Sequence, residues 1–212
     1  MIKTIKSNYL WIIFFICVLL FLALAEDVFT HEIMKGDIIG YNLVSKYLIK
    51  TNITPIVKYI TWFGSATCLI IISLFTFILK NKKISICILS NLVIVTLLNQ
   101  LFKFIFERPR PTEYRIITET GYSFPSGHSM VSMAFYGYII YLIYKNVNNK
   151  YIKWLVISIL SLLIISIGIS RIYLGVHYTS DVLAGFLISI SYLIIYIKYT
   201  KKIIDKDSNY EK

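Results

Sequence analysis

Six uncharged, largely apolar stretches recur along the chain, at residues 9–25, 59–79, 84–102, 129–144, 154–170 and 182–197. A membrane-spanning helix needs roughly 17–25 mainly apolar residues. The second and third stretches meet that length outright. The fourth and sixth are short and borrow flanking residues, with Lys145 and Lys198 carrying their charge out to the interface. The longest gap, 26–58, contains Ile33, Met34, Ile38, Ile39, Leu43, Val44, Tyr47 and Leu48 at helical spacing. That spacing predicts a short amphipathic helix on the membrane surface. The whole pattern predicts an all-α, polytopic membrane protein of six transmembrane helices, a single domain over 1–212 with no room for a soluble one.

Composition changes this picture little. The 212 residues are 57% hydrophobic and mean hydropathy is +0.70, far from a soluble globular chain. The net charge of +11 raises the question of nucleic acid. No basic stripe alternates with aromatics as a single-strand binder requires, so no nucleic-acid partner is expected. Cys17, Cys68 and Cys87 fall inside apolar stretches and read as small buried hydrophobes, neither a disulfide framework nor a metal site. Lys3 and Lys6 followed by an apolar stretch ending in Ala23-Leu24-Ala25 have the features of a signal peptide. A retained first helix is the preferred reading, because it supplies packing surface to the other five.

The distribution of charge sets an orientation. The N-terminus, the gaps at 80–83 and 145–153 and the tail hold thirteen lysines against Asp205, Asp207 and Glu211. The alternate set, 26–58, 103–127 and 170–181, holds five lysines, all four arginines and eight acids. The positive-inside rule places the lysine-rich set, and both termini, in the cytoplasm. The arginine-bearing gaps then face the extracytoplasmic side of the cell membrane.

Those gaps carry the candidate chemistry. Lys103 ends the third stretch, and Arg110-Pro111 follows after a turn that Pro109 and Pro111 enforce. Pro125-Ser126-Gly127-His128 opens the fourth helix. Ser126 suits an N-cap, Gly127 admits close backbone approach, and the helix start favours an anion. Ser170-Arg171, His177 and Asp181 lie where the fifth and sixth stretches meet, and ionisable groups at that depth are costly and usually functional. Two guanidiniums, an ammonium and a helix start fit a compact oxyanion such as phosphate. His177 and Asp181 are four apart, so the carboxylate can take the proton on one ring nitrogen and leave the other as a nucleophile. His128 is then free to protonate the leaving oxygen. The same cations would repel a divalent ion, so neither a metal nor another cofactor is expected. Arg108, Arg115, Tyr114 and Tyr122 lie nearby with no assigned role, as surface or outer-layer residues. His31 and its acidic neighbours read as solvated loop residues.

The ordered set Lys103…Arg110-Pro111, Pro125-Ser126-Gly127-His128 and Ser170-Arg171…His177…Asp181 resembles the type 2 phosphatidic acid phosphatase family, whose pattern is K-x6-R-P, P-S-G-H and S-R-x5-H-x3-D. All three segments match in residue type and spacing, over 103–181. The resemblance implies a metal-independent lipid phosphatase. His177 would form a phosphohistidine, Asp181 would orient it and His128 would act as general acid. Lys103, Arg110, Ser126, Gly127, His128 and Arg171 would hold the phosphate. Vanadate-dependent haloperoxidases share the motifs but are soluble, and the apolar stretches argue against that branch. The implied partners are the bilayer and a lipid phosphate within it. Undecaprenyl diphosphate comes first, with phosphatidylglycerophosphate or phosphatidate close behind. Two other classes stand beside this reading. An intramembrane serine hydrolase would use Ser126, His177 and Asp181 but leave the cations unexplained. An anion channel or transporter would line a pore with arginines, though no internal repeat is visible.

Overall fold

The computed structural model describes residues 2–30, 34–78, 81–113 and 115–207. His31, Ile33 and Tyr114 lie outside the described residues. Eight α-helices follow in order: α1 (Ile2–Phe29), α2 (Lys35–Leu48), α3 (Thr54–Trp62), α4 (Ala66–Phe75), α5 (Lys82–Phe106), α6 (Gly127–Asn146), α7 (Lys150–Tyr173) and α8 (Thr179–Asp207). Among the described residues there is no strand, as the apolar pattern predicts. Short polar side chains start the helices. Asn81 Oδ1 accepts from the amides of Lys83 and Ile84, and Asn149 Oδ1 from those of Tyr151 and Ile152. Ser65 and Ser126 cap α4 and α6 in the same way, satisfying amides that have no partner inside the helix.

The count of spans differs from the expected six. Within the described residues, α1 (from Tyr9), α5, α7 and α8 (to Ile204) are long and apolar enough to cross a membrane. The stretch at 59–79 is not one straight helix: α3 and α4 meet at a 48° bend and make a fifth span only if taken together. The break sits at Phe63-Gly64-Ser65, where backbone amides bond back three residues to Ile60, Thr61 and Trp62. A Cβ on Gly64 would lie 2.7 Å from Ile167 Cγ2 and 3.2 Å from His128 Cδ2, so the bend brings backbone against α7 and the start of α6. The helix at the fourth stretch, α6, is 20 residues long and is the hub of the bundle, packed against α5, α7 and α8. Its Ser129, Ser132 and Tyr138 are buried inside the protein, so composition alone does not mark it as a span.

Large apolar side chains on α1, α4, α5 and α7 point outward, among them Phe15, Phe75, Leu97 and Leu162. On a soluble surface such exposure would be anomalous, whereas a bilayer solvates it. α1 packs along α8 and α5, and Phe21 sits with Phe102, Phe106 and Phe124 behind the site described below. α2 is amphipathic as expected, with an unusual division of labour. Ile38, Ile39, Leu43 and Tyr47 face outward, while the buried side carries Asp37. A Cβ on Gly40 would fall 2.1 Å from Thr179 Oγ1, so α2 crosses the start of α8 with its backbone against the Thr179 side chain.

Candidate active site

The ends of α5 and α7 and the starts of α6 and α8 converge, bringing the three sequence clusters together. Lys103 Nζ, on the last turns of α5, donates to the Tyr122 carbonyl at 2.9 Å. Asn99, one turn earlier, donates to the Pro125 carbonyl at 3.2 Å. The Ser126 amide donates to the backbone carbonyl of Asp181 at 3.0 Å, tying the start of α6 to that of α8. Glu107 ends α5 with φ of 43°, in the left-handed region, and this turns the chain so that Arg108 and Arg110 both point inward.

His177 is buried and its two ring nitrogens have different neighbours. Nδ1 lies 3.3 Å from Asp181 Oδ2, and Nε2 lies 3.0 Å from Arg110 Nη1. A guanidinium donates and never accepts, and an ionised carboxylate accepts and never donates. The ring therefore carries its proton on Nδ1 and its lone pair on Nε2. Burial pushes the His177 pKa down to about 4, with Asp181 opposing and Arg171 and Arg110 adding to the shift. The imidazole is neutral at physiological pH, the form in which a nucleophile is needed.

Asp181 is fully buried and accepts four hydrogen bonds. The donors are His177 Nδ1, Ser123 Oγ, the Tyr178 amide at 2.8 Å and Arg108 Nη1 at 2.6 Å. Of the two readings the sequence left open for Arg108, surface or outer layer, the structure gives the second. Arg108 is 5% exposed, bridges Asp181 and Asp37 and lies 4.1 Å from the centre of the Tyr178 ring. Its charge offsets two carboxylates that could not otherwise be buried together. Burial opposes that charge, but Asp181 and Asp37 outweigh it and hold the guanidinium protonated.

The other cations line the same space. Arg110 donates through Nε to the Gly121 carbonyl and through Nη2 to that of Thr120, which fixes its plane beside His177. Arg171, 1% exposed, donates to Thr61 Oγ1 at 2.8 Å and to Glu119 Oε1 at 2.6 Å, while its Nε has no protein partner. Burial raises the Glu119 carboxyl, but Arg171 outweighs this and holds it below the usual carboxylate range. An anionic oxygen therefore already sits on Arg171. The charges of Arg171, Lys103 and Arg110 all act on the half-buried His128. Ser126 Oγ is engaged with the Ser129 amide and hydroxyl, and both His177 nitrogens are turned elsewhere, so the residues of a serine hydrolase do not form its dyad. A Cβ on Gly127 would lie 3.0 Å from Asn99 Oδ1, so the close neighbour that demands glycine there is a side chain of α5. Arg115 is exposed and, among the described residues, bonds the backbone carbonyls of Pro111 and Arg110. Tyr122, also exposed, lends the site its carbonyl to Lys103. A cavity of about 390 Å³ opens beside His177, walled by Ile38, Tyr41, Pro111, Thr112, Ile172 and Tyr178.

Sequence reasoning assigned no role to Asp37, Glu119, Thr61 or Gly64, each of which touches a site residue. Asp37 had one available signal: a lone acid on the apolar repeat of a segment expected to lie on a membrane.

Comparisons with known proteins give the family and the fold. Residues 84–205 match the PAP2 superfamily. The chain is 30% identical over 196 residues to phosphatidylglycerophosphatase B of Bacillus subtilis, covering 87% of this chain and 93% of that relative. It is 28% identical over 209 residues to an undecaprenyl-diphosphatase of Sulfolobus acidocaldarius, covering 92% and 94%. The crystal structure of a transmembrane PAP2 type phosphatidylglycerolphosphate phosphatase from Bacillus subtilis superposes with a TM-score of 0.76, at 28% identity, over 88% of this chain and 95% of that one. The structure of Aquifex aeolicus LpxE superposes with a TM-score of 0.63, at 25% identity, over 75% and 93%. By sequence and by fold, the chain belongs to the PAP2 superfamily and is a phosphatase of that family.

Proposed function

We propose that the chain hydrolyses a phosphate or diphosphate monoester on a membrane lipid, without a metal, through a phosphohistidine on His177. The observation that carries this reading is the pair of contacts made by the His177 ring, with Nδ1–H toward Asp181 and the Nε2 lone pair toward the cations. An incoming phosphate takes the Arg110 hydrogen bond for itself and frees that lone pair. Nε2 attacks phosphorus, the bond from phosphorus to the lipid oxygen breaks, and His128 gives that oxygen a proton. A water then loses a proton to His128 and attacks phosphorus. The P–N bond breaks, and inorganic phosphate leaves His177 neutral. Lys103, Arg110 and Arg171 neutralise the charge that spreads over the phosphoryl oxygens in both steps, usually the largest catalytic term. Ser126 shapes the helix start that faces the same anion, and Gly127 lets that start come close.

The site opens on the extracytoplasmic side of the cell membrane, with both termini in the cytoplasm. The lysine-rich helix ends at 82–83, 145–153 and 198–202 support this orientation, since they lie at the opposite ends of the helices that meet in the site. The acyl or prenyl chains stay in the bilayer while the headgroup enters beside His177, and the 390 Å³ cavity takes the part of it that departs. Two substrates have support. Phosphatidylglycerophosphate is favoured by the relative with 30% identity and by the structural neighbour with a TM-score of 0.76. Undecaprenyl diphosphate, first in the reading from sequence, is supported by the relative of that activity. Purified protein in detergent with EDTA, given phosphatidylglycerophosphate, undecaprenyl diphosphate and phosphatidate in parallel, tests the reading. Phosphate release from at least one, lost in His177→Ala, is the expected result. Release from none by folded protein would turn the reading toward anion transport.

A further inference from the structure

The mechanism above uses His177, Asp181 and the phosphate-facing cations, and leaves unexplained why two more charges are buried behind them. Asp37 is 3% and Arg108 5% exposed; Asp37 lines the cavity beside His177, and the side-chain hydrogen bonds of both run to Asp181, Ser180 and each other. Their contacts run in one line. Asp37 Oδ2 accepts from Arg108 Nη2 at 2.8 Å, Arg108 Nη1 donates to Asp181 Oδ1 at 2.6 Å, and Asp181 Oδ2 faces His177 Nδ1 at 3.3 Å. Asp37 Oδ1 also accepts the Ser180 amide at 2.8 Å, and Arg108 Nη1 donates to Ser180 Oγ at 2.7 Å. Both residues therefore grip the first turn of the helix on which Asp181 stands. Thr179, in the same turn, is seated on Gly40 of α2.

We propose that Asp37 and Arg108 are positioning residues for the nucleophile, a relay in which α2 holds Asp181 in place and sets how strongly it attracts the His177 proton. This rests on His177 being the nucleophile. The planar fork of an arginine suits the task, because it spans two carboxylates at once where a lysine cannot. Arg108 also draws charge away from Asp181 and so weakens its support of a protonated imidazole. Asp37 moderates that pull. The groups facing His177 are Asp181 from α8, Arg171 from α7, Arg110 and Glu119 from the α5–α6 connection, and His128 from α6. Lys103 of α5 and Asp181 also interact through charge. Of these, Asp181 is the group that Arg108 grips. The outward face of α2 is apolar, so the relay reaches from the nucleophile to the part of the protein that touches lipid.

The test measures kcat, KM, inhibition by inorganic phosphate and the acid limb of kcat/KM for R108Q, R108K and D37N, with thermal unfolding in detergent as the control for folding. Each variant should lose at least about tenfold in kcat, while KM and phosphate inhibition stay within about threefold, because an interaction made at the reacting group is lost and binding is kept. R108Q removes the positive charge beside Asp181, so the carboxylate supports the imidazolium better and the acid limb moves to higher pH. D37N leaves Arg108 uncompensated and moves it lower. R108K keeps the charge, leaving the limb in place, yet loses rate with the fork. If R108Q fails to fold, R108K and D37N decide between them. Wild-type kcat in the folded variants overturns the relay. So does a loss confined to KM and phosphate inhibition with an unmoved limb, which would mark a purely structural role. Failure of the underlying reading shows separately, as turnover that survives His177→Ala.

Discussion

His177 owes its reactivity to contacts that sequence spacing only partly discloses. Its pairing with Asp181 was legible from four-residue spacing, and so was the set of cations Lys103, Arg110 and Arg171. Both follow from chemistry that needs particular residue types at the ends of apolar stretches. Glu119, Thr61 and Asp37 were not legible, because they reach the site from loops and helices distant in sequence, and only the fold sets those distances. Replacing His177 or His128 with Ala should abolish turnover while leaving thermal unfolding in detergent within a few degrees of wild type. The pH dependence follows from the depressed pKa of His177. The group is neutral above about 4 in the folded protein and above about 6.5 when unfolded. Its contribution to stability is therefore complete above pH 6.5 and is lost as pH falls toward 4, because the unfolded chain binds the proton first. The acid limb of kcat/KM should likewise lie near pH 4, and a limb near 6.5 would mean a solvated His177. Glu119 occupies Arg171 where the proposed mechanism places a phosphoryl oxygen. Glu119→Gln should therefore strengthen inhibition by inorganic phosphate by several fold, and an unchanged inhibition constant would show that the carboxylate does not compete.

Ser126 was readable as the cap of α6, and Asn81, Asn149 and Ser65 start their helices by the same ordinary preference of short polar side chains. The bend between α3 and α4 was not, since an apolar run reads the same whether straight or broken. What breaks it is Gly64, whose missing side chain lets the backbone lie against Ile167 and His128. α2 was legible as an amphipathic helix, but its buried face was not, because docking onto α8 depends on contact between Gly40 and Thr179. The contact makes a sharp prediction. Gly40→Ala places a methyl group 2.1 Å from Thr179 Oγ1 and 2.8 Å from its Cβ and Cγ2, so α2 must shift and carry Asp37 with it. We expect lower kcat and a lower unfolding temperature. Adding Thr179→Ala, which deletes two of the three nearest atoms, should restore part of both. A double variant no better than Gly40→Ala would mean that α2 is not seated through this contact.

At the scale of the molecule, one end of the bundle gathers three histidine- and arginine-bearing segments and the other gathers lysine. On the proposed reading the lysines follow a topological rule and the buried arginines follow the chemistry of phosphate. That contrast was visible from the sequence because two residues of like charge were being used for different purposes. The orientation it implies is testable with single cysteines, since Cys17, Cys68 and Cys87 are buried. The exposed positions Glu113 and Asn148 lie at opposite ends. Glu113→Cys should react with a membrane-impermeant maleimide in intact cells, and Asn148→Cys only after permeabilisation; the reverse pattern would invert the topology. The covalent intermediate is the centre of the account, and rapid quench with a substrate carrying labelled phosphate tests it most directly. During turnover the label should appear on the protein as an acid-labile, alkali-stable phosphohistidine that maps to His177, and should be absent from His177→Ala. Label on Ser126, or His177→Ala turning over near the wild-type rate, would contradict the account.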